Sequence, residues 1–387
     1  RGRQARSRPK TMTVLSLILL AGWLLALVRT VLNLRAIPKL VPRLVPEPPL
    51  VSVIIPARNE ERSIERTVRA FLDQTYSPLE VIVIDDRSGD GTGSILGRLA
   101  AEDPRLTLVH GEETPAGWLG KPWALHQGSL RARGELFLFV DADITYQPDA
   151  VAAAVAHIRA SGSGLVSLLP RIVMRGFWEH VLMPNLGVVL FTVLPVWLTN
   201  RTSRFPMFAV GGGPGNLIRR DVYAAIGGHE RLKNAVIDDI GMARLVRRAG
   251  HATELVRADQ WVAVRMYHGG REVVEGFTKN VFPALGRSYL LAAVLIPFVA
   301  LFHAGPYVLA LAGDRISLAT IALISLLRLG LFVKLKYGAV NGLLGHPLMI
   351  LGWGWITLRS IWFTGVRRQV HWRGRRYDAG TTRFGDE

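Results

Sequence analysis

Paired carboxylates recur in this chain just beyond short apolar runs. The clearest case is ELFLFVDAD, residues 135–143, where an apolar run without alternation stops at Asp141-Ala142-Asp143. Such a run suits a parallel strand covered on both faces. Carboxylates one residue apart at its carboxyl end stand where open α/β sheets bind ligands. Oxygen-only donors at this spacing suit a hard divalent cation, Mg²⁺ or Mn²⁺. The plainer alternative is that the aspartates end the strand and shape a turn. Asp85-Asp86 closes another apolar run, and Asp238-Asp239 opens a helical pattern, where the helix dipole favours negative charge. Plain helix capping is the alternative there. Gly211-Gly212-Gly213-Pro214-Gly215 lets backbone approach a ligand closely. Lys121, in the glycine-flanked GWLGK, is placed as a phosphate contact, with a solvated lysine as the alternative.

These residues need elements to position them. LVSVIIP reads as a strand, followed by a helix over residues 57–74 with Ile64, Val68, Phe71 and Leu72 on one face. Strands are expected at 80–84, 106–109 and 136–140, with helices near 95–101 and over 122–133. Strands alternating with helices in this way argue for a βαβ sheet. A helix over 238–249 is closed by Gly250, and residues 261–267 read as a strand. The apolar stretch 177–198 is read as an interfacial or domain-packed helix, not a membrane crossing. A crossing would separate Asp141 and Asp143 from Asp238 and Asp239, and the stretch holds Glu179, His180, Pro184, Asn185 and Pro195.

The 387 residues carry a formal charge of +17 and no cysteine, which excludes disulfides, thiolate metal sites and a cysteine nucleophile. Several apolar runs are long enough to cross a bilayer. The basic excess is therefore read as contact with anionic lipid heads and phosphorylated substrates. No nucleic-acid partner is expected, since there is no aromatic-interleaved RNA motif or helix-turn-helix pattern. No P-loop is present, and the histidines show no zinc-ligand spacing.

The expected organisation is a basic leader at 1–10, a transmembrane helix at 11–34 and a proline-rich linker at 35–49. A globular domain at 50–268, an amphipathic interfacial segment at 269–288, a membrane region at 289–365 and a basic tail at 366–387 follow. The first span is read as an anchor and not a cleaved signal, with Met12 as the natural start. Candidate C-terminal spans are 289–311, 316–333 and 343–363. Gly345-His346-Pro347 and Gly352-Trp353-Gly354 mark the last as a broken or re-entrant helix. Domain and tail are both expected on the cytosolic side of a plasma or inner membrane.

PARNEE after the first strand, DDRSGDGT after the second, VDAD after the fourth and IDDIGMARLVRRAG further on form an ordered set. The set resembles the family 2 glycosyltransferases over about residues 51–268. The resemblance implies an α/β GT-A fold, with a Rossmann-like nucleotide-sugar sheet, flanked here by N- and C-terminal transmembrane helices and interfacial helices. It implies that Pro56, Ala57, Arg58, Asn59 and Glu60 bind the nucleotide, although Asn59 and Glu60 also suit helix capping. Asp85 and Asp86 would meet uridine; a carboxylate can accept from a uracil N–H or a ribose hydroxyl. Asp141 and Asp143 would hold Mg²⁺ or Mn²⁺ on the diphosphate. Asp239 would be the catalytic base beside Asp238, which stands where the family commonly has Glu. Transfer would invert the anomeric carbon.

GWLGKPWALHQG, residues 117–128, resembles the membrane glycosyltransferases of carotenoid-acid (diaponeurosporenoate-type) and hopanoid pathways, and the overall layout more distantly resembles ceramide glucosyltransferases. Trp118 and Trp123 would then meet a lipid acceptor or the interface, with core packing as the alternative. Processive relatives carry a Q-x-x-R-W string. Here the matching place reads Gly276-Phe277-Thr278-Lys279-Asn280, where Lys279 would be the diphosphate contact, as a point charge without the guanidinium fork. The HWRGRRY tail resembles basic tails of lipid glycosyltransferases. The expected activity is transfer of one sugar, UDP-glucose-like, to a hydroxyl or carboxylate of a membrane lipid. The alternatives are a processive polysaccharide synthase and a non-catalytic nucleotide-sugar-binding membrane protein.

Overall fold

A mixed sheet of seven strands carries the loops that hold Asp85-Asp86, Lys121, Asp141-Asp143 and Gly211–Gly215. The structure is a computed structural model and describes residues 10–43, 45–202, 205–372 and 375–378. The basic leader up to residue 9, Arg373-Gly374 and the tail beyond residue 378 lie outside the described residues. The chain divides into two compact units. One comprises the N-terminal helix, Met174–Pro195 and Tyr267–Arg367, and the other comprises Arg35–Val173, Val196–Met266 and the tail.

In chain order the elements begin with α1 (Lys10–Ala36), β1 (Val51–Ala57), α2 (Ile64–Leu72), β2 (Leu79–Asp85) and α3 (Thr92–Glu102). Next come β3 (Leu106–His110), α4 (Gly120–Arg131), β4 (Leu136–Phe139), β5 (Ile144–Tyr146), α5 (Ala150–Ser161), β6 (Leu165–Leu169) and β7 (Arg171–Ile172). Then follow α6 (Phe177–Leu182), α7 (Pro184–Val188), α8 (Val196–Thr199), β8 (Asn216–Arg219), α9 (Arg220–Ala225), α10 (Asp238–Arg248), β9 (Thr253–Arg257) and β10 (Val262–Val264). The last are α11 (Gly270–Thr278), α12 (Val281–Ala284), α13 (Tyr289–Leu311), α14 (Arg315–Leu335), α15 (Ala339–Leu344), α16 (His346–Ser360), and the hairpin β11 (Gln369–Trp372) and β12 (Arg375–Asp378).

The sheet order is β3-β2-β1-β4-β8-β6-β9. β1 is parallel to β2 and β4, whereas β8 runs antiparallel to β4 and β6. Every residue of β2 is buried, as is nearly all of β1. One face of the sheet packs Val53 and Ile55 against Val68 and Phe71 of α2 and Leu96 and Leu99 of α3. The other packs Ile54, Ile82 and Ile84 against Leu125 of α4 and Met242 and Val246 of α10. The strands are apolar on both faces because both are covered. The linker runs beside β9, where the Leu40 amide donates to the Arg257 carbonyl at 2.9 Å and Trp261 Nε1 donates to the Leu40 carbonyl at 3.0 Å. It thereby covers an edge of the sheet.

At the amino ends of three strands a clasp around the buried Glu80 fixes register. Glu80 accepts from Ser52 Oγ at 2.6 Å, from the Arg133 amide at 2.8 Å and from the Arg133 guanidinium at 2.8 and 2.9 Å. Burial pushes the Glu80 carboxyl up, but the Ser52 and Arg133 hydrogen bonds outweigh it and hold it below the usual value. A depressed carboxylate contributes stability that is present above its unfolded value, 4.5, and lost as pH falls through the folded value. Glu80→Gln is therefore expected to lower stability at pH 7 by about 2 kcal/mol and to flatten the acid limb below pH 4.5, as read by denaturant melts at several pH values.

Several expectations are corrected. The first helix starts at Ile64 instead of residue 57, because Asn59 adopts φ of 54° and residues 58–61 form a loop. The strand expected at 261–267 is only Val262–Val264, in a small second sheet with β5 and β7. β6, β8 and β9 extend the sheet beyond the expected strands, and β8 makes it mixed. The stretch 177–198 is not one helix: α6, α7, a π-helical turn at Val189–Val193 and α8 succeed one another, broken around Pro184 and Pro195. Its part up to Pro195 is tied to α1, since Asn33 Nδ2 donates to the Phe191 and Leu194 carbonyls, each at 2.8 Å.

Among the described residues three helices are long and apolar enough to cross a membrane: α1, α13 and α14. At about 1.5 Å rise per residue, each reaches the roughly 30 Å of a hydrocarbon core. The third candidate C-terminal span, 343–363, is broken at Gly345, as Gly345-His346-Pro347 indicated, whereas Gly352-Trp353-Gly354 lies inside a continuous helix. At Gly345 α15 ends and α16 begins with Pro347 in its first turn, where a missing N–H costs nothing. Arg328, buried on α14, donates to the carbonyls of Asn341 and Gly342, which compensates a charge that would otherwise be costly.

Candidate active site

The carboxyl ends of β1, β2 and β4 point one way, and the sheet order reverses between β1 and β4, where α/β sheets offer a crevice. Two loops stitched together form one side. The Arg58 guanidinium donates to the Asp86 carbonyl at 2.6 Å and lies 3.7 Å from its carboxylate. Asn59 Oδ1 accepts from the Gly89 amide at 2.8 Å, and the Glu60 amide donates to Thr92 Oγ1 at 2.8 Å. Asp85 and Asp86 are buried, and Asp85 Oδ1 accepts from the Ser88 amide at 3.1 Å. Pro56 and Ala57 end β1 inside this group. Ser88 and Thr92, not singled out in the sequence, join the two loops; they look like ordinary turn residues until the partner loop is known.

The other side is acidic with one lysine at its centre. Lys121, at the start of α4, lies 2.8 Å from Asp141 Oδ1 and 3.3 Å from Asp238 Oδ1. Together with Asp239, Gly213, Asn216 and Met242 these residues line a cavity of about 10 Å³, room for about one water molecule. Burial works against the lysine's charge, but Asp141, Asp238 and Asp239 hold it protonated well above its usual range. The sequence placed Lys121 as a phosphate contact. In the structure it bridges two carboxylates, so an incoming diphosphate would meet a cation already held in place.

Gly213 makes this convergence possible. The Asp141 amide donates to the Gly213 carbonyl at 3.0 Å, and a methyl group on Gly213 would collide with the Asp141 carboxylate. A methyl group on Gly211 would collide with the Asp239 carbonyl. Gly212 donates to Asn216 Oδ1 at 3.4 Å. The glycine run is thus a backbone wedge between the end of β4 and the start of α10.

Both α10 aspartates are pushed up. Burial is the main cause for each; Lys121 pulls the other way, and Asp141 adds repulsion. Asp239 remains poised as an acceptor, with Oδ1 taking the Ile240 amide at 2.8 Å. Asp143 is pushed up to about 7 by burial and then by Asp141. Carboxylates crowded in this way are a donor set for a positive charge. Asp141 and Asp143 supply hard oxygens, and a small divalent cation keeps waters and substrate phosphates as its other ligands. The residues present fit Mg²⁺ or Mn²⁺ on that chemistry; among the described residues no group of three or more protein ligands gathers.

Trp118, Trp123 and His126 form a three-ring cluster with centroids 5.1–5.6 Å apart, Trp123 stacked on His126 and Trp118 edge-on to Trp123. Lys279 is not part of the sheet unit; it follows α11 in the unit of apolar helices. His229 was missed by sequence reasoning. It is fully buried, its Nδ1 is 2.7 Å from Tyr223 Oη, and its Nε2 is 3.9 Å from Asp238 Oδ2. Nothing in the GGHE string marked it.

The fold is the GT-A-like α/β fold of glycosyltransferases. A mannosyltransferase from Pyrobaculum calidifontis, solved in complex with GDP-Man and Mn²⁺, superposes with a TM-score of 0.54 at 20% identity, over 92% of this chain and 99% of that one. Residues 52–227 match the model of glycosyl transferase family 2, so the chain carries a family 2 glycosyltransferase domain. The 4,4'-diaponeurosporenoate glycosyltransferases of Staphylococcus aureus strains USA300 and MRSA252 are each 28% identical to it, over 84% of this chain and 88% of theirs.

Proposed function

We propose that this glycosyltransferase moves one sugar from a nucleotide-sugar donor, UDP-linked, to a hydroxyl or carboxylate on a membrane lipid. The observation that carries the reading is the meeting of Asp141, Lys121, Asp238 and Asp239 at the carboxyl end of β4. The stitched loops after β1 and β2 offer Arg58, Asn59, Asp85 and Asp86 to the nucleoside. Asp141 and Asp143 would hold Mg²⁺ or Mn²⁺, which when bound stabilises charge on the departing diphosphate. Lys121 stands ready as a second cation for that charge. Asp239 accepts the proton of a hydroxyl acceptor, whose oxygen attacks the anomeric carbon as the bond to the nucleoside diphosphate breaks. Attack opposite the leaving group inverts that carbon.

The lipid acceptor is supported by the three apolar helices and by the carotenoid-acid enzymes it resembles, whose name denotes a carboxylate. With α1 before the sheet unit and the α13–α14 pair after it, two crossings return the chain to the side of the catalytic domain. Domain and tail then share the cytosolic side, where nucleotide sugars are made.

Turnover of the full chain with UDP-glucose and a lipid extract is expected to stop with chelator and return with Mn²⁺. Asp143→Asn is expected to need about tenfold more Mn²⁺ for half-maximal rate, since one of two carboxylate donors is lost. Turnover that survives chelation sinks the metal assignment. No transfer with any nucleotide sugar sinks the donor reading.

A further inference from the structure

A groove of about 620 Å³ lies in the unit of apolar helices, walled by α6, α11 and α16. That is the size of a small-ligand pocket. Its apolar lining comes from Trp178, Leu182, Val274 and Trp355, of which residues Trp178 and Trp355 are 48% and 60% exposed. Exposed tryptophans beside an apolar surface are the usual mark of the membrane–water boundary. Here they belong to the same unit as the three candidate spans.

The groove also carries charge, unevenly distributed. Arg271 pairs with Glu275 at 2.9 Å, so these two side chains cancel. Among the described residues Arg359 has no such carboxylate. Its guanidinium lies 4.6 Å from the Phe363 ring centroid, and its Nε is buried with no hydrogen-bond partner among the described residues. A buried donor left unmade is costly, and a guanidinium fork matches phosphate oxygens. Net positive charge in an apolar, tryptophan-edged groove complements an anionic head on an apolar chain.

We propose that this groove binds one anionic phospholipid, with the phosphate on Arg359 and an acyl chain along Leu182, Val274 and Trp355. None of these residues belongs to the catalytic site, so the proposal stands apart from the transfer reaction. The site would let the enzyme's occupancy follow the anionic lipid content of its membrane.

The test is native mass spectrometry of the detergent-solubilised full chain titrated with phosphatidylglycerol or phosphatidylcholine. One phosphatidylglycerol per chain is expected to stay bound at concentrations where phosphatidylcholine is lost. Arg359→Gln is expected to weaken retention at least tenfold. Val274→Trp, which fills the groove and leaves every charge in place, is expected to do the same. Arg159→Gln, on the exposed face of α5, is expected to change nothing. Circular dichroism melts of the same samples separate lost binding from lost folding. Equal retention of the two lipids overturns the site, as does wild-type binding by either folded groove variant.

Discussion

Asp239→Asn is expected to lower kcat by about 10³-fold with an alcohol acceptor, within the range that a positioned base contributes. The amide keeps the size of the side chain and its place at the start of α10 but cannot take a proton. KM for the nucleotide sugar is expected to change little, because the donor loops lie after β1 and β2. The size of the effect also reports the acceptor. A lipid carboxylate is already ionised at pH 7 and needs no base, so with such an acceptor the loss should stay below about tenfold. Steady-state rates with one acid and one alcohol acceptor distinguish the two cases. Equal, small losses with both would remove Asp239 from the base role.

Gly213→Ala is expected to lower kcat/KM by about 100-fold, the scale of a misplacement of about 1 Å. The added methyl meets the Asp141 carboxylate, while the Gly213 amide helps hold the charge on Asp239. One substitution therefore disturbs both sides of the site. Gly212→Ala, three bonds along the same loop, is expected to be much milder, since its methyl would approach only Pro214 at 3.4 Å. Similar losses at the two positions would mean that general loop stiffness matters, not the wedge. A binding assay with UDP and Mn²⁺ on both variants separates lost donor binding from lost alignment.

The carboxylates were legible in the sequence because they sit at the ends of uniformly apolar runs. A strand covered on both faces announces itself in that way, and the residue after it falls at the sheet's carboxyl edge. The same reasoning could not find β8. Asn216–Arg219 is a short strand following a glycine loop, and it is held by pairing with β4 and β6 more than by its own composition. Residues 58–61 fall within the helix expected over 57–74 from its apolar face and suit its capping. Their side chains and amides instead bind the Ser88–Thr92 loop, a partner that spacing does not show. In residues 343–363 the break at Gly345 and Pro347 was legible, but Gly352-Trp353-Gly354 stays helical inside α16. Lys121 was found as a cation near phosphate chemistry. Its bridge between β4 and α10 needed the fold, because Asp141 and Asp238 come from distant parts of the chain.

The most direct test of the account is mass spectrometry of lipids after incubating the full chain with UDP-glucose and Mn²⁺ and a membrane lipid extract. The account predicts a lipid heavier by one hexose, absent without nucleotide sugar and lost in Gly213→Ala. A ladder of added hexoses would contradict single transfer. Nucleotide-sugar binding without any lipid product would contradict the catalytic reading of the acidic site.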